Sequence, residues 1–105
     1  MAVLVTYCSY PTDQIETFTK RLQEIAPKFQ TPEHVTVRGP YWNSDSEKGI
    51  VGFFICEVEA AKINQERSRI AALCSALNGI PGYKWSIDVW SEQSDIQERR
   101  TKYGF

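Results

Sequence analysis

Arg38 and Asp88 are candidates for chemistry because each falls on the polar side of a strand-like alternation. Alternate side chains of a strand point to opposite faces, so both are expected to point away from the apolar face of their strands. An arginine in that place can bind an anionic ligand, and an aspartate can act as a base. A structural ion pair, or two charges that reach water, explains the same pattern.

His34 is the only histidine of the chain. Imidazole titrates near neutral pH, which makes His34 a candidate for acid–base catalysis or for ligating haem iron. Its position at the start of a strand, next to Glu33, favours exposure to solvent instead. No spacing of histidine, cysteine and carboxylate residues typical of a metal site accompanies it, so we expect neither a metal nor a cofactor.

Aromatic and polar residues near the strand ends could line a pocket. Trp42, Trp90 and Tyr41 could supply aromatic walls, although packing in a core or a dimer interface explains them equally well. Lys84 and Asn64 are further polar candidates, for which ordinary exposure is the alternative.

The composition is that of a globular protein with no strong charge preference. Hydrophobic residues make up 42% and charged residues 24% of the 105 residues, and the formal net charge is −1. This balance gives no general attraction to nucleic acid or to an anionic membrane. We see no secretion signal and no membrane-spanning run, and the three separated cysteines predict free thiols in a reducing cytoplasm.

Hydrophobic periodicity predicts six elements in the order β-α-β-β-α-β. The first helix has apolar residues at steps of three and four from Ile15 to Phe29, and Pro27 marks its end. The most apolar run, 50–58, predicts a strand that is buried on both faces. We expect one domain over 1–92 and a tail over 93–105 with a short helix near 95–100. The predicted elements are strands 2–8, 34–42, 49–58 and 82–91, and helices at about 13–26 and 60–78.

This order predicts an α+β, ferredoxin-like βαββαβ fold, with a four-stranded antiparallel sheet and two helices on one face. Trp85, with its apolar neighbours Ile87 and Val89, should face the helices. The other face should carry Arg38, the polar side of the last strand, and the residues Leu4, Thr6 and Cys8. With one register of 50–58, that face is too apolar to be left in water, which indicates a partner.

The chain resembles the dimeric α/β-barrel superfamily in topology, and small members of it in two segments. These are Val-Arg-Gly-Pro-Tyr-Trp at 37–42 and Lys-Gly-Ile-Val-Gly-Phe-Phe-Ile-Cys-Glu at 48–57. The resemblance implies a homodimer in which each sheet helps to enclose a pocket. It implies no single activity, because the superfamily includes oxygenases, isomerases, haem enzymes and ligand-binding regulators.

We therefore expect a cytoplasmic homodimer with a pocket on the sheet face away from the helices, for a small, partly apolar or anionic ligand. A cofactor-free oxygenase or isomerase would suit such a pocket, with Asp88 and His34 as the catalytic candidates. The alternative is a non-enzymatic ligand-binding or regulatory module whose sheet face only forms the dimer. An RNA-binding module is disfavoured, because basic residues are not clustered with the strand aromatics. The expected ligand-binding residues are Arg38, Trp42, Trp90, Asp88 and Lys84.

Overall fold

The computed structural model describes residues 1–91, and their elements follow the predicted order. The helix expected near 95–100 lies outside the described residues. No helix within residues 1–91 has the length and apolar character needed to cross a membrane. The elements are β1 (Ala2–Tyr10), α1 (Ile15–Ile25), β2 (Thr36–Asp45), β3 (Gly49–Val58), α2 (Ile63–Ser75) and β4 (Lys84–Ser91).

The four strands form one antiparallel sheet in the order β2-β3-β1-β4, which confirms the predicted α+β architecture. β3 and β1 are central, whereas β2 and β4 are the edges. The strand predicted over 49–58 coincides with β3. Its central place gives β3 a partner strand on each side, but the apolar residues on both of its faces still need cover on both sides of the sheet.

Both helices cover the same face of the sheet, which we call the helix face. One part of the core joins β1 and β3 to α2 and includes Leu4, Cys56 and Ile70. The other part joins the end of β1 to α1, where the ring of Tyr10 stacks on Phe18 at a centroid distance of 4.1 Å. The opposite face of the sheet, which no described helix covers, is called the open face below.

The face expected for β1 is wrong. Leu4, Thr6 and Cys8 were expected on the open face, but they lie on the helix face, where Leu4 is fully buried. Leu4 is paired directly with Cys56 of β3, and residues opposite each other in a ladder share a face. Val3, Val5 and Tyr7 therefore occupy the open face.

A bulge in β2 reverses the faces of the residues that follow it. Arg38 pairs with Ile55 and Tyr41 with Phe53, so three steps along β2 match two along β3. One extra residue exchanges the two faces of a strand beyond it. Trp42 consequently lies on the helix face, so its expected place beside Arg38 on the open face is wrong.

Glu66 is buried on α2, although its charge predicts a place on the solvent side of that helix. It is only 2% exposed and forms a salt bridge with Arg69, three residues later on α2. Arg69 also donates a hydrogen bond from Nη1 to the carbonyl of Phe29 at 3.0 Å. Arg69 therefore connects α2 to the segment that follows α1, and its positive charge offsets the cost of burying the Glu66 carboxylate.

Candidate functional site

The open face is a grid of side chains from all four strands. Its central columns, from β3 and β1, are mostly apolar or aromatic, and its edges carry the charges except that of Glu57 on β3. Across β2, β3, β1 and β4, the rows are Thr36, Glu57, Val3 and Trp90; Arg38, Ile55, Val5 and Asp88; Tyr41, Phe53, Tyr7 and Ser86; and Asn43, Val51, Ser9 and Lys84.

Five of the predicted site residues share this face. Arg38 and Tyr41 lie on one edge strand, and Lys84, Asp88 and Trp90 lie on the other. Arg38 and Asp88 fall in the same row but are separated by three strand spacings, or roughly 14 Å. The two charges therefore cannot form a pair within one subunit.

The remaining candidates lie elsewhere. His34 is exposed in the turn before β2, and Asn64 is exposed on α2, on the other side of the sheet. The ring of Trp42 lies over Gly52 and meets Phe18 edge-on at a centroid distance of 5.7 Å. Trp42 is thus part of the wall between sheet and helix. Tyr41, its neighbour, points to the open face.

Arg38 already has an anionic partner in its own subunit. Its guanidinium lies 3.3 Å from the Glu57 carboxylate, which belongs to the neighbouring row of the open face. The guanidinium is largely exposed, so the pair contributes little to stability. It does lower the net positive charge that Arg38 offers to an anionic ligand.

The open face is uneven, with three adjoining concavities. The largest, about 440 Å³, lies over Val5 and Ile55 beside Trp90. A second, about 250 Å³, lies beside Tyr41 and Val51. The third, about 380 Å³, lies at the Lys84 end of the sheet. The ring of Tyr7 borders all three of them.

A separate cavity lies between the sheet and the helices, and we call it the helix-side cavity. Its volume is about 180 Å³, and the wall formed by the described residues is apolar. Thr6 lines this cavity, yet its buried hydroxyl has no hydrogen-bond partner among residues 1–91. No pattern in the sequence indicates this cavity. The other lining residues are Cys8, Phe18, Leu22, Pro40, Trp42, Phe53, Phe54, Leu73, Cys74, Leu77 and Tyr83.

Cys56 and Cys74 are buried and Cys8 is partly buried, and all three thiols are protonated at neutral pH. Burial raises the pKa of Cys8 and Cys74, both on the cavity wall, to about 11, and burial does the same for Cys56 in the core. The nucleophile in thiol chemistry is the thiolate, so these thiols are unreactive at pH 7. Burial also raises the pKa of Tyr83, whose hydroxyl donates to the carbonyl of Cys74 at 3.1 Å.

Within residues 1–91 no group of three or more His, Cys, Asp and Glu side chains is placed to hold a metal ion.

Tyr7 and Lys48 line concavities of the open face, and neither was a candidate from the sequence. Tyr7 was assigned correctly to the same face of its strand as Val3 and Val5, but that face was expected to meet the helices. Lys48 lies in the β2–β3 hairpin, where no periodicity shows direction. The pairing of β1 with β3 identifies Tyr7. Leu4 lies opposite the buried Cys56, so the alternate residues of β1, including Tyr7, must lie on the open face.

Comparison with known proteins supports the architecture. No protein-family model and no curated protein sequence matches this chain. An uncharacterised NIPSNAP domain protein from Burkholderia xenovorans superposes with a TM-score of 0.58 at 17% identity, over 90% of this chain and 96% of that one. Rv0793 from Mycobacterium tuberculosis superposes with a TM-score of 0.55 at 10% identity, over 88% and 95% of the two chains.

The chain has the ferredoxin-like fold. A de novo designed protein, Foldit4, shares it with a TM-score of 0.54 at 13% identity, over 88% of this chain and 97% of that one. At such identities the likeness concerns the fold alone. It confirms the fold that the resemblance of the sequence implied, and the function has to be argued from the site.

Proposed function

We propose that this ferredoxin-like protein is a homodimeric small-molecule-binding protein, in which two open faces meet and enclose ligand pockets. The observation that carries the proposal is the apolar centre of the open face. Val3, Val5, Ile55 and Phe53 adjoin there without a described helix above them, and Trp90, which is 58% exposed, extends the patch to one edge. Apolar patches of this kind mark interaction sites.

Charge complementarity favours a second copy of the chain as the partner. The central row runs from Arg38 through Ile55 and Val5 to Asp88. A two-fold axis parallel to the strands reverses this row, so that Arg38 of one subunit faces Asp88 of the partner subunit. The same operation places the apolar pair Ile55 and Val5 against its own copy. An isologous interface requires a patch that is complementary to itself in this way.

Charge reversal tests the dimer. Wild-type protein should sediment as a dimer at micromolar concentration, and Arg38→Asp or Asp88→Arg alone should weaken association roughly tenfold or more, because each places like charges opposite one another. The double variant should recover much of the loss. Lys20→Asp, an exposed reversal on α1, is the matched control and should leave association unchanged. A monomeric wild type would refute the proposal.

The proposal is for binding rather than for a particular reaction. Asp88 and His34, the candidates for acid–base chemistry, lie towards opposite edges of the sheet and are both exposed. They cannot act on the same small ligand within one subunit. An oxygenase or isomerase activity would therefore have to use other groups or a residue of the partner.

The helix-side cavity supports a second candidate function, the binding of a small apolar molecule inside each subunit. Its volume of about 180 Å³ is slightly above that of an engineered apolar cavity of about 150 Å³ that stays dry and binds benzene or xenon. An apolar wall offers water too few partners to hold it there. Benzene or xenon is therefore the appropriate probe.

Methyl NMR on the full chain would locate the probe. Benzene should shift the signals of Leu22, Leu73 and Leu77 in the wild type, and Leu22→Phe should abolish the shifts by filling the cavity. Ile15→Phe, at an exposed position of the same helix, is the control. Shifts confined to Val5 and Ile55, or no shifts at all, would contradict this second function.

A further inference from the structure

We propose that the concavity at the Lys84 end of the open face binds a small aromatic carboxylate. Lys84 and Lys48 hold the carboxylate, and the aromatic ring lies against Tyr7 and Phe53. This inference rests on the proposed small-molecule pocket and assigns it a ligand class. It also moves the anion-binding group from Arg38, where the sequence predicted it, to the lysines.

The polar groups of this concavity are hydrogen-bond donors suited to an anion. Lys84 and Ser86 come from β4, Ser9 from β1, and Lys48 from the β2–β3 hairpin. An ammonium group has three donors and no acceptor, and a serine hydroxyl can donate as well. The described residues that line the concavity include no carboxylate. Two cations therefore converge here without an acidic side chain in the same wall.

Asp45 and Asp88, two acidic residues near these lysines, are not among the described residues that line the concavity. The Asp45 carboxylate accepts hydrogen bonds from the backbone N–H groups of Glu47 and Lys48, both at 2.8 Å, which ties it into its own hairpin. Those bonds lower the pKa of Asp45, so it stays ionised and partly offsets the charge of Lys48. Asp88 is four residues from Lys84, or roughly 13 Å along β4.

Lys84 is the stronger of the two anchors. No ion pair or side-chain hydrogen bond of Lys84 is found among the described residues, whereas Arg38 lies 3.3 Å from Glu57. An anion that approaches Arg38 has to compete with an existing carboxylate, but one that approaches Lys84 does not. Lysine is a compact and mobile point charge, which suits a single carboxylate group at varied angles.

An aromatic surface lies next to the lysines. The rings of Tyr41, Phe53 and Tyr7 follow one another across the sheet, with centroid distances of 5.3 Å and 6.3 Å and tilted planes. All three are more than a third exposed, so their ring surfaces are available to a ligand. Such spacing and tilt leave room for a further ring to make offset or edge contacts.

The distance between the aromatic row and the Lys84 row determines the length of the ligand. Tyr7 and Ser9 are two residues apart on β1, so the aromatic row and the Lys84 row are separated by roughly 7 Å. A ring over Tyr7 with a carboxylate attached directly, or through one or two carbons, spans that distance. Within the Lys84 row, Val51 and Ser9 are small, which leaves space above them when two open faces meet.

The direct test is calorimetric titration of the full chain with 2-naphthoate. We expect saturable binding that is at least roughly tenfold tighter than binding of neutral 2-naphthalenemethanol or of non-aromatic cyclohexanecarboxylate. Lys84→Met should weaken naphthoate binding roughly tenfold and leave the alcohol unchanged. Tyr7→Leu should weaken both aromatic probes. Lys20→Met, which removes an exposed charge from α1, is the matched control and should change neither.

Three outcomes would overturn the assignment. They are equal affinity for naphthoate and the alcohol, unchanged affinity in Lys84→Met, and a larger loss in Arg38→Met than in Lys84→Met. Sedimentation of the same samples separates this inference from the proposed dimer. A dimer that does not prefer naphthoate refutes only the ligand class, and naphthoate binding by a monomer refutes only the dimer.

Discussion

Removing the charge of Arg69 should destabilise the fold strongly, because the buried Glu66 carboxylate then has no cationic partner. Arg69→Met keeps most of the length of the side chain. It deletes the hydrogen bonds from Nε to both Glu66 oxygens, at 3.0 Å and 3.1 Å, and the bond to the Phe29 carbonyl. Loss of one partner of a buried ion pair costs about 3–5 kcal/mol. Since the Arg69 side chain keeps 19% of its exposure, we expect a loss of about 2–4 kcal/mol.

Urea denaturation at one fixed protein concentration measures this loss, since association also contributes to stability in a dimer. Arg67→Met removes an exposed arginine from the same helix and should cost less than about 0.5 kcal/mol. The double variant Glu66→Leu/Arg69→Met should regain most of the lost stability, because apolar groups of similar volume replace a buried pair well. Equal losses in Arg69→Met and Arg67→Met, or no recovery in the double variant, would refute the reasoning.

Three further changes test the packing of the helix face. Gly52→Ala places a methyl group 2.3–2.4 Å from ring carbons of Trp42 and should displace the indole. We expect altered tryptophan fluorescence and a decrease of about 1–3 kcal/mol in the free energy of unfolding measured with urea. An unchanged fluorescence spectrum would contradict this contact. Thr6→Val removes a buried hydroxyl that has no hydrogen-bond partner among residues 1–91, so urea denaturation should show equal or slightly higher stability. A loss above about 1 kcal/mol would show that the hydroxyl does have a partner. Thr36→Val, at an exposed position, is the control. Burial raises the pKa of Cys56 from 9.0 in the unfolded chain to about 11, so its stabilising contribution is complete below pH 9 and is lost as the pH rises to 11. The free energy of unfolding should fall less steeply over that range in Cys56→Ala, and identical slopes would contradict it.

The architecture was predictable because two strands show their environment clearly. β3 is apolar on both faces, which is typical of a strand inside the sheet, and β4 alternates between polar and apolar residues from Lys84 to Val89. That alternation correctly placed Trp85 and Ile87 towards the helices, and Lys84 and Asp88 towards the open face. Two amphipathic helices each connect two of the strands, and the rules for such connections then favour a single topology.

β1 shows what periodicity alone cannot decide. Its two alternating sets both contain large apolar residues, so a period of two separates the sets without saying which one meets the helices. The decision comes from tertiary pairing, where Leu4 lies opposite Cys56 on the helix face. Glu66 is a similar case, because only the neighbouring Arg69 and the carbonyl of Phe29 make its burial tolerable.

The β2 bulge explains how the tyrosine and tryptophan at 41–42 come to serve different sites. Without an extra residue, Trp42 would share a face with Arg38, because the two residues are an even number of positions apart. The unpaired segment between Arg38 and Tyr41 turns Tyr41 to the open face and Trp42 to the helix-side cavity. Gly39 and Pro40 interrupt the alternation of the strand, since proline cannot donate to a ladder, but the number of extra residues, which determines the reversal, appears only in the pairing with β3.

The extra residue in β2 also determines which side chains adjoin one another on the open face. Because Tyr41 and not Trp42 joins Phe53 and Tyr7, the aromatic row lies directly beside the row that ends in Lys84. Arg38 lies on the far side of that aromatic row and is paired with Glu57. A designed sequence reaches the same fold, so the fold cannot select a ligand, and any selectivity must come from this order of side chains across the rows. An anionic aromatic ligand is the class that such an order of aromatic, small and cationic side chains recognises.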